Sequence, residues 1–302
     1  MTALVWGDEL LKYDFGSYHP LRSERCKLGV EEILSSEKSA LIDAVEPRYA
    51  TENELELFHT RKYIESVRKG TAGDIDTPVS PDLYEPAKLS VGATLTAVDE
   101  IVEGYDISVN ICGGWHHAFE DRARGFCIFN DVVIGARYAQ RKGFKKVMII
   151  DWDVHHGDGT QRAFYNDESV FTISIHQHPS TIYPYRTGYE SENNEYNVNI
   201  PIMPGEDEQE VLKRVLSEIP LRIRSFKPAL MIIQMGVDGH RDDPMSSLNL
   251  TDRFYESVAQ IVARCSKNND FPVVLLGGGG FNFPKTAQLW RNMVEIFTEE
   301  KA

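Results

Sequence analysis

The run "DWDVHHGDG" (151–159) sets Asp151, Asp153 and His155 at alternate positions, so in extended backbone their side chains share one face. Two carboxylates and an imidazole crowded together repel or sit protonated unless a cation lies between them. Asp153 and His155, closed by Asp238 from "VDGHRDDP" (237–244), make an O/N ligand set suited to Zn²⁺ or Fe²⁺ that leaves a position for water. Taken singly, each aspartate is as well explained by a helix cap and His155 by a satisfied core histidine. Their grouping at separate strand ends favours the metal. His116 and His117, in "GGWHHA" (113–118), then supply acid/base groups that can take a proton from water and return one to a leaving amine. Asp151 and Asp158 are left to hold an imidazole each by its other ring nitrogen.

Such residues need a frame that gathers them. Apolar runs at 107–112, 146–151, 169–175, 229–236 and 271–278 read as strands, several apolar at nearly every position as in a parallel sheet covered on both faces. Helical patterns fill 86–102, 130–143, 206–226 and 251–266, the last opening with Thr251 as its N-cap. Alternation of the two predicts a three-layer α/β fold with a mostly parallel sheet, as a single domain over 1–302. In such sheets ligands bind beyond the carboxyl ends of the strands, where the histidines and aspartates above all fall.

Composition narrows the function. The formal net charge is −14, from 46 acidic and 32 basic residues, which disfavours nucleic-acid binding and suits cationic substrates or plain solubility. Four scattered cysteines without CxxC spacing point to a reducing compartment. The first residues carry no signal-peptide pattern and no apolar run is long enough to span a bilayer, so a soluble cytoplasmic protein is expected.

The stretches "YHPLRSER" (18–25), "FHTRKYIESV" (58–67), "GGWHHA", "GFCIFND" (125–131), "DWDVHHGDGTQ" (151–161), "GVDGHRDDP" (236–244) and "GGGG" (277–280) together resemble the zinc-dependent histone deacetylase family, which includes the bacterial and archaeal deacetylase-like, acetoin-utilisation and acetylpolyamine amidohydrolase proteins. The resemblance implies the arginase/deacetylase fold, with a mostly parallel eight-stranded sheet and helices on both faces. It implies zinc on Asp153, His155 and Asp238, a general base at His117 oriented by Asp158, and an electrostatic partner at His116 paired with Asp151. It makes Phe126 and Tyr183 the aromatic walls of a tunnel for an acyl-lysine stem, with Gly125, Gly279, Met245 and the loop carboxylate Asp76 also in the substrate-binding set. Arg25 matches the arginine at the base of an internal cavity. A structural potassium ion near Asp151, Asp153, His155, Ser174 and Ile175 is implied as well.

The same match exposes a departure. After "LLGGGG" the family places a tyrosine whose hydroxyl steadies the oxyanion, and here that position is Phe281. Losing one such donor typically costs about 10²–10³ in rate. Either Phe281 is an engineered Tyr→Phe change that traps substrate, or it is native to a slow enzyme, an acyl-lysine reader, or an enzyme using another donor. Met245, uncharged where polyamine-selective relatives carry an acidic gatekeeper, favours ε-N-acyl-lysine on proteins or peptides over acetylated polyamines and other small amines. Two other classes stay in play: a two-manganese ureohydrolase, disfavoured because "DWDVHH" lacks the Asp-x-His-x-Asp pattern, and an interaction module, favoured only by Phe281. The segment 176–195 is expected to shape the rim, and the oligomeric state is left open.

Overall fold

Every residue of Val147–Asp151, Leu230–Gln234 and Val273–Leu276 is buried, as strands lying between helical layers must be. They belong to one eight-stranded parallel sheet in the computed structural model, which describes residues 1–301. In chain order the elements are β1 (Thr2–Val5), α1 (Glu24–Leu34), β2 (Ile42–Val45), α2 (Glu52–Leu55), α3 (Arg61–Arg68), α4 (Tyr84–Val102), β3 (Ile107–Asn110), α5 (Asp131–Arg141) and β4 (Val147–Asp151). They continue with α6 (Asp158–Phe164), β5 (Val170–Gln177), β6 (Asn197–Ile202), α7 (Glu208–Phe226), β7 (Leu230–Gln234), α8 (Asp252–Asn269), β8 (Val273–Leu276) and α9 (Phe283–Lys301). Strand order is β2-β1-β3-β8-β7-β4-β5-β6. α1, α9, α8 and α7 pack in succession, while α4 packs against α5. This is the three-layer α/β arrangement expected from the alternating pattern.

The central strands end in step. Ser174, Asp151, Gln234 and Leu276 are register partners across β5, β4, β7 and β8, and Asn110 of β3 continues the row. All of these residues but Ser174 end their own strand. Asn110, Asp151 and Gln234 each accept, through a side-chain oxygen, the N–H two residues further on, at 3.1, 3.1 and 2.7 Å. A side chain that captures its own backbone in this way competes with the ladder and turns the chain. The runs expected at 107–112 and 229–236 therefore stop earlier than their apolar character suggests, and the run at 271–278 stops at Leu276.

Helix ends follow local chemistry. Asn130 caps α5 by accepting from Val133 N at 3.0 Å, and Asp207 caps α7 by accepting from Gln209 N and Glu210 N. Thr251 stands at the N-cap position of α8 but makes no side-chain cap; its hydroxyl donates to Glu208 of α7 at 3.0 Å instead. A tertiary acceptor has displaced the local one. Strands β1, β2 and β6 were not distinguished by apolar pattern: two are only four residues long, and β6 carries Asn197 and Asn199 on buried positions.

Candidate metal-dependent active site

Past the end of β4 the alternation of Asp151, Asp153 and His155 divides into two tasks. Asp153 and His155 turn toward Asp238: His155 Nδ1 lies 3.1 Å from Asp153 Oδ1 and 3.0 Å from Asp238 Oδ2, and the three ligand atoms fall within 4.8 Å of one another. Gln234 Nε2 and Gly279 N donate to Asp153 Oδ2 at 2.8 and 2.7 Å, while Val154 N donates to Asp238 Oδ1 at 2.9 Å. Both carboxylates are thus aimed by neighbouring strand ends. One imidazole and two carboxylates, buried and converging, fit a divalent cation of the zinc or ferrous type.

Asp151 turns the other way. Its Oδ2 is 2.6 Å from His116 Nδ1, and Asp158 Oδ1, at the start of α6, is 2.8 Å from His117 Nδ1. The two Nε2 atoms approach to 3.1 Å, and His116 Nε2 is 3.9 Å from Asp153 Oδ1. Two carboxylate-held imidazoles thus bring their second nitrogens together beside the candidate metal ligands. The loop bearing them is fixed from α5: Gly114 N and Trp115 N donate to Asp131, and Asn130 Nδ2 donates to the carbonyls of His116 and Ala118.

These groups open into one cavity of about 310 Å³, lined by Arg25, Asp76, His116, His117, Gly125, Phe126, Asp153, His155, Tyr183, Asp238, Met245, Gly279 and Phe281. Asp151, Asp158, Ser174 and Ile175 are not among the residues that line it. The Phe126 and Phe281 rings meet edge-on at 6.0 Å, and Tyr183 stands edge-on to His117 at 5.0 Å. Arg25 is buried, donates to the Gly278 carbonyl, and lies over the Trp115 and Trp290 rings. Asp76 joins the lining from a loop whose carbonyl at 76 is 3.1 Å from His19 Nε2.

The model of the histone deacetylase domain matches residues 19–297, nearly the whole chain. The chain belongs to the histone deacetylase family. It is 33% identical to the acetoin utilization protein AcuC of Staphylococcus aureus (strain MSSA476), over 96% of this chain and 78% of that one. It is 32% identical to AcuC of Bacillus subtilis (strain 168), over 98% and 82% respectively. Among solved structures it superposes on an HDAC homolog complexed with SAHA with a TM-score of 0.86 at 31% identity, covering 98% of this chain and 84% of that one. An HDAC homolog from Aquifex aeolicus gives 0.85 at 31% identity, with the same coverage. Family and relatives together support a deacetylase, a hydrolase acting on amides by metal-dependent chemistry.

Electrostatics in this deacetylase-family site follow from burying many charges together. Burial alone would lower His155, yet Asp153 and Asp238 outweigh it and raise it to about 10. In effect two buried carboxylates are drawing positive charge into the ligand set. Burial, reinforced by the Asp153 charge, lifts Asp238 to about 7. His116 divides from His117: burial opposes both, but Asp151 and Asp153 raise His116 to about 9, whereas burial plus the positive His116 and His155 push His117 well down. A charged and a neutral imidazole side by side is the pairing acid/base chemistry needs.

Sequence reasoning passed over several residues that shape the site. Gln234 is a lone amide at the end of the apolar run 229–236, and a polar residue in a doubly buried strand was its signal. Asn130 and Asp131 lay inside a recognised motif without a task. Asp243, which accepts Phe281 N at 2.6 Å, likewise lay in the quoted motif 236–244 without a task, and only Arg124, whose Nη2 is 3.0 Å from Asp158 Oδ2, gave no local sign. Among the described residues no helix is long and apolar enough to cross a membrane.

Proposed function

We propose that this chain is a zinc-dependent deacylase of ε-N-acyl-lysine whose turnover is held down by Phe281. The observation that carries the reading is the joining, at the floor of one aromatic-lined cavity, of the Asp153–His155–Asp238 set with the His116–Asp151 and His117–Asp158 pairs. The ligand set is equally suited to ferrous iron. When bound, the ion lowers the pKa of water and polarises the amide carbonyl. His117, neutral and held at Nδ1 by Asp158, accepts the proton of water through Nε2. His116, kept positive by Asp151, stabilises negative charge beside it, and a proton from this pair leaves with the amine. Potassium belongs to the same reading: Asp151 and Ser174 are register partners on adjacent strands, although Ser174 Oγ is also 2.8 Å from His176 Nδ1.

Phe281 lines the cavity, and at the position that by resemblance belongs to an oxyanion donor its ring has nothing to donate. Met245 on the same cavity presents no charge, which suits the methylene stem of acyl-lysine better than a second ammonium. Acetylated small amines are the second substrate class, and binding of acyl-lysine without hydrolysis is the reading Phe281 itself favours.

The test is deacylation of acetyl-lysine peptides and acetylated polyamines by this chain and by Phe281→Tyr, each with one equivalent of zinc. A gain of about a hundredfold or more for the tyrosine form on peptides is expected. Metal bound at one equivalent with no turnover by either form would refute the lysine-deacylase reading.

A further inference from the structure

Behind His117, one side chain touches two parts of the site. The Arg124 guanidinium puts Nη2 3.0 Å from Asp158 Oδ2, the oxygen not used by His117, and donates from Nε to the Tyr183 hydroxyl at 2.8 Å. It lies over the Tyr183 ring at 5.3 Å and over Phe119 at 4.6 Å, so the planar fork is held between two rings. Its side chain is only 23% exposed and that of Asp158 1%, so the contact is shielded from water and salt. The contact with Asp158 is one of charge, since Oδ2 has no aligned hydrogen-bond donor, whereas the contact with Tyr183 is a hydrogen bond.

The backbone of the same residue controls the other aromatic wall. Arg124 N donates to the Cys127 carbonyl at 3.1 Å and Cys127 N donates back at 2.9 Å, closing a two-residue turn over Gly125 and Phe126. Both turn residues have positive φ, 55° and 68°, the pattern of a type I′ hairpin turn. A left-handed phenylalanine is uncommon and persists only where surroundings impose it. Phe126 N is further held by Thr77 Oγ1 at 2.9 Å. Gly125 packs so closely on the His117 ring that any Cβ there would collide with it.

We propose that Arg124 is a positioning residue that couples tunnel to base, its backbone presenting Phe126 while its side chain holds both Tyr183 and the carboxylate behind His117. Closure of the two walls on an acyl stem and orientation of the His117 ring are thereby set by one residue. The kinetic part of this proposal rests on the deacylase reading above; the geometric part does not.

The test uses the chain carrying Phe281→Tyr as parent, with Arg124→Ala, Arg124→Lys, Tyr183→Phe and the Arg124→Ala/Tyr183→Phe pair made on it. Steady-state kinetics on an acetyl-lysine peptide gives kcat and KM. The imidazole ¹H–¹⁵N spectrum of the metal-free chain follows the Nδ1 proton that His117 shares with Asp158. Arg124→Ala should lower kcat/KM by about tenfold or more through both constants. Lysine should restore kcat, because it still pairs with Asp158, but not KM. Tyr183→Phe should raise KM alone, by about three- to tenfold, and the double variant should be no worse than Arg124→Ala. The His117 Nδ1 proton should shift or exchange faster in Arg124→Ala and recover in Arg124→Lys. Arg124→Ala within about twofold of the parent, or effects of the two single changes that multiply, would overturn the coupling. If the parent turns over no acetylated substrate, the deacylase reading fails on its own, and an unaltered His117 proton in Arg124→Ala then overturns this proposal independently.

Discussion

At the scale of single residues the site works by holding like charges close and then giving each a fixed partner. Asp153 and Asp238 are both buried and both face His155, and the Gln234 side-chain amide, Gly279 N–H and Val154 N–H donate to the carboxylate oxygens that His155 Nδ1 does not approach. Gly279 is glycine for a reason visible here: a Cβ at that position would run into the carboxylates of both Asp238 and Asp153. Gly279→Ala should therefore spread the ligand set, with zinc affinity falling by about tenfold or more while the fold stays intact. Zinc titration against a competing chelator, beside a circular dichroism melt, checks this; unchanged affinity would mean the loop yields and the ligands are not confined by it. Phe281 belongs to this scale too. Its substitution by tyrosine adds one oxygen, so any gain in rate measures one hydrogen bond in the transition state and little else.

At the scale of elements, the sheet does the gathering and the loops are then tied to one another. Asp243, in the loop after β7, accepts Phe281 N at 2.6 Å and Asn282 N at 3.1 Å through one oxygen, and Met245 N at 3.0 Å through the other. One carboxylate thus fixes the glycine loop after β8 and the Met245 wall together. Burial pushes its pKa up, and those three backbone donors pull against that shift. Asp243→Ala leaves the three N–H groups without their acceptor, and buried unsatisfied donors cost about 1–3 kcal/mol each when water does not replace the partner. We expect a loss of about 2 kcal/mol or more in denaturant unfolding, together with a raised KM and zinc still bound at one equivalent. A variant of native stability and unaltered KM would show that the loops hold their positions without this bridge.

At the scale of the whole molecule, the sheet and its helices bury histidines that no acid keeps charged. His59 lies in the core, accepts Asn130 N at 3.0 Å through Nε2, and is held down to about 3 by burial; His156 is likewise held down to about 4. Their folded values lie below the ordinary 6.5. The stability they confer is therefore complete above pH 6.5 and is lost as pH falls, through about 4 for His156 and about 3 for His59. Each costs about 1.4 kcal/mol per pH unit within its window. Replacing His59 with glutamine, which can accept the same N–H, should make the fall of unfolding free energy between pH 6.5 and 4.5 shallower by about one proton. Urea unfolding at several pH values in that range measures the slope. An unaltered slope would mean that His59 is protonated in the folded chain.

The sequence by itself determined the chemistry and its address. Asp153, His155 and Asp238 come directly after apolar runs that had to be parallel strands. Parallel strands deliver the residues beyond their carboxyl ends to one edge, so a metal set and a histidine pair were legible in the chain alone. What only the tertiary structure decided are contacts whose partners lie far apart in the chain and leave no periodic trace. Asp151, left over from the ligand set, was already legible as an imidazole's partner, and the structure adds the 2.6 Å contact with His116. Thr251 had the composition of a cap, and Glu208 of another helix took its hydroxyl. Arg124 and Asp243 looked like surface charges in polar loops. Sequence pattern records which face of an element is buried; it does not record which loop a long side chain will meet, and here such meetings set the walls of the cavity.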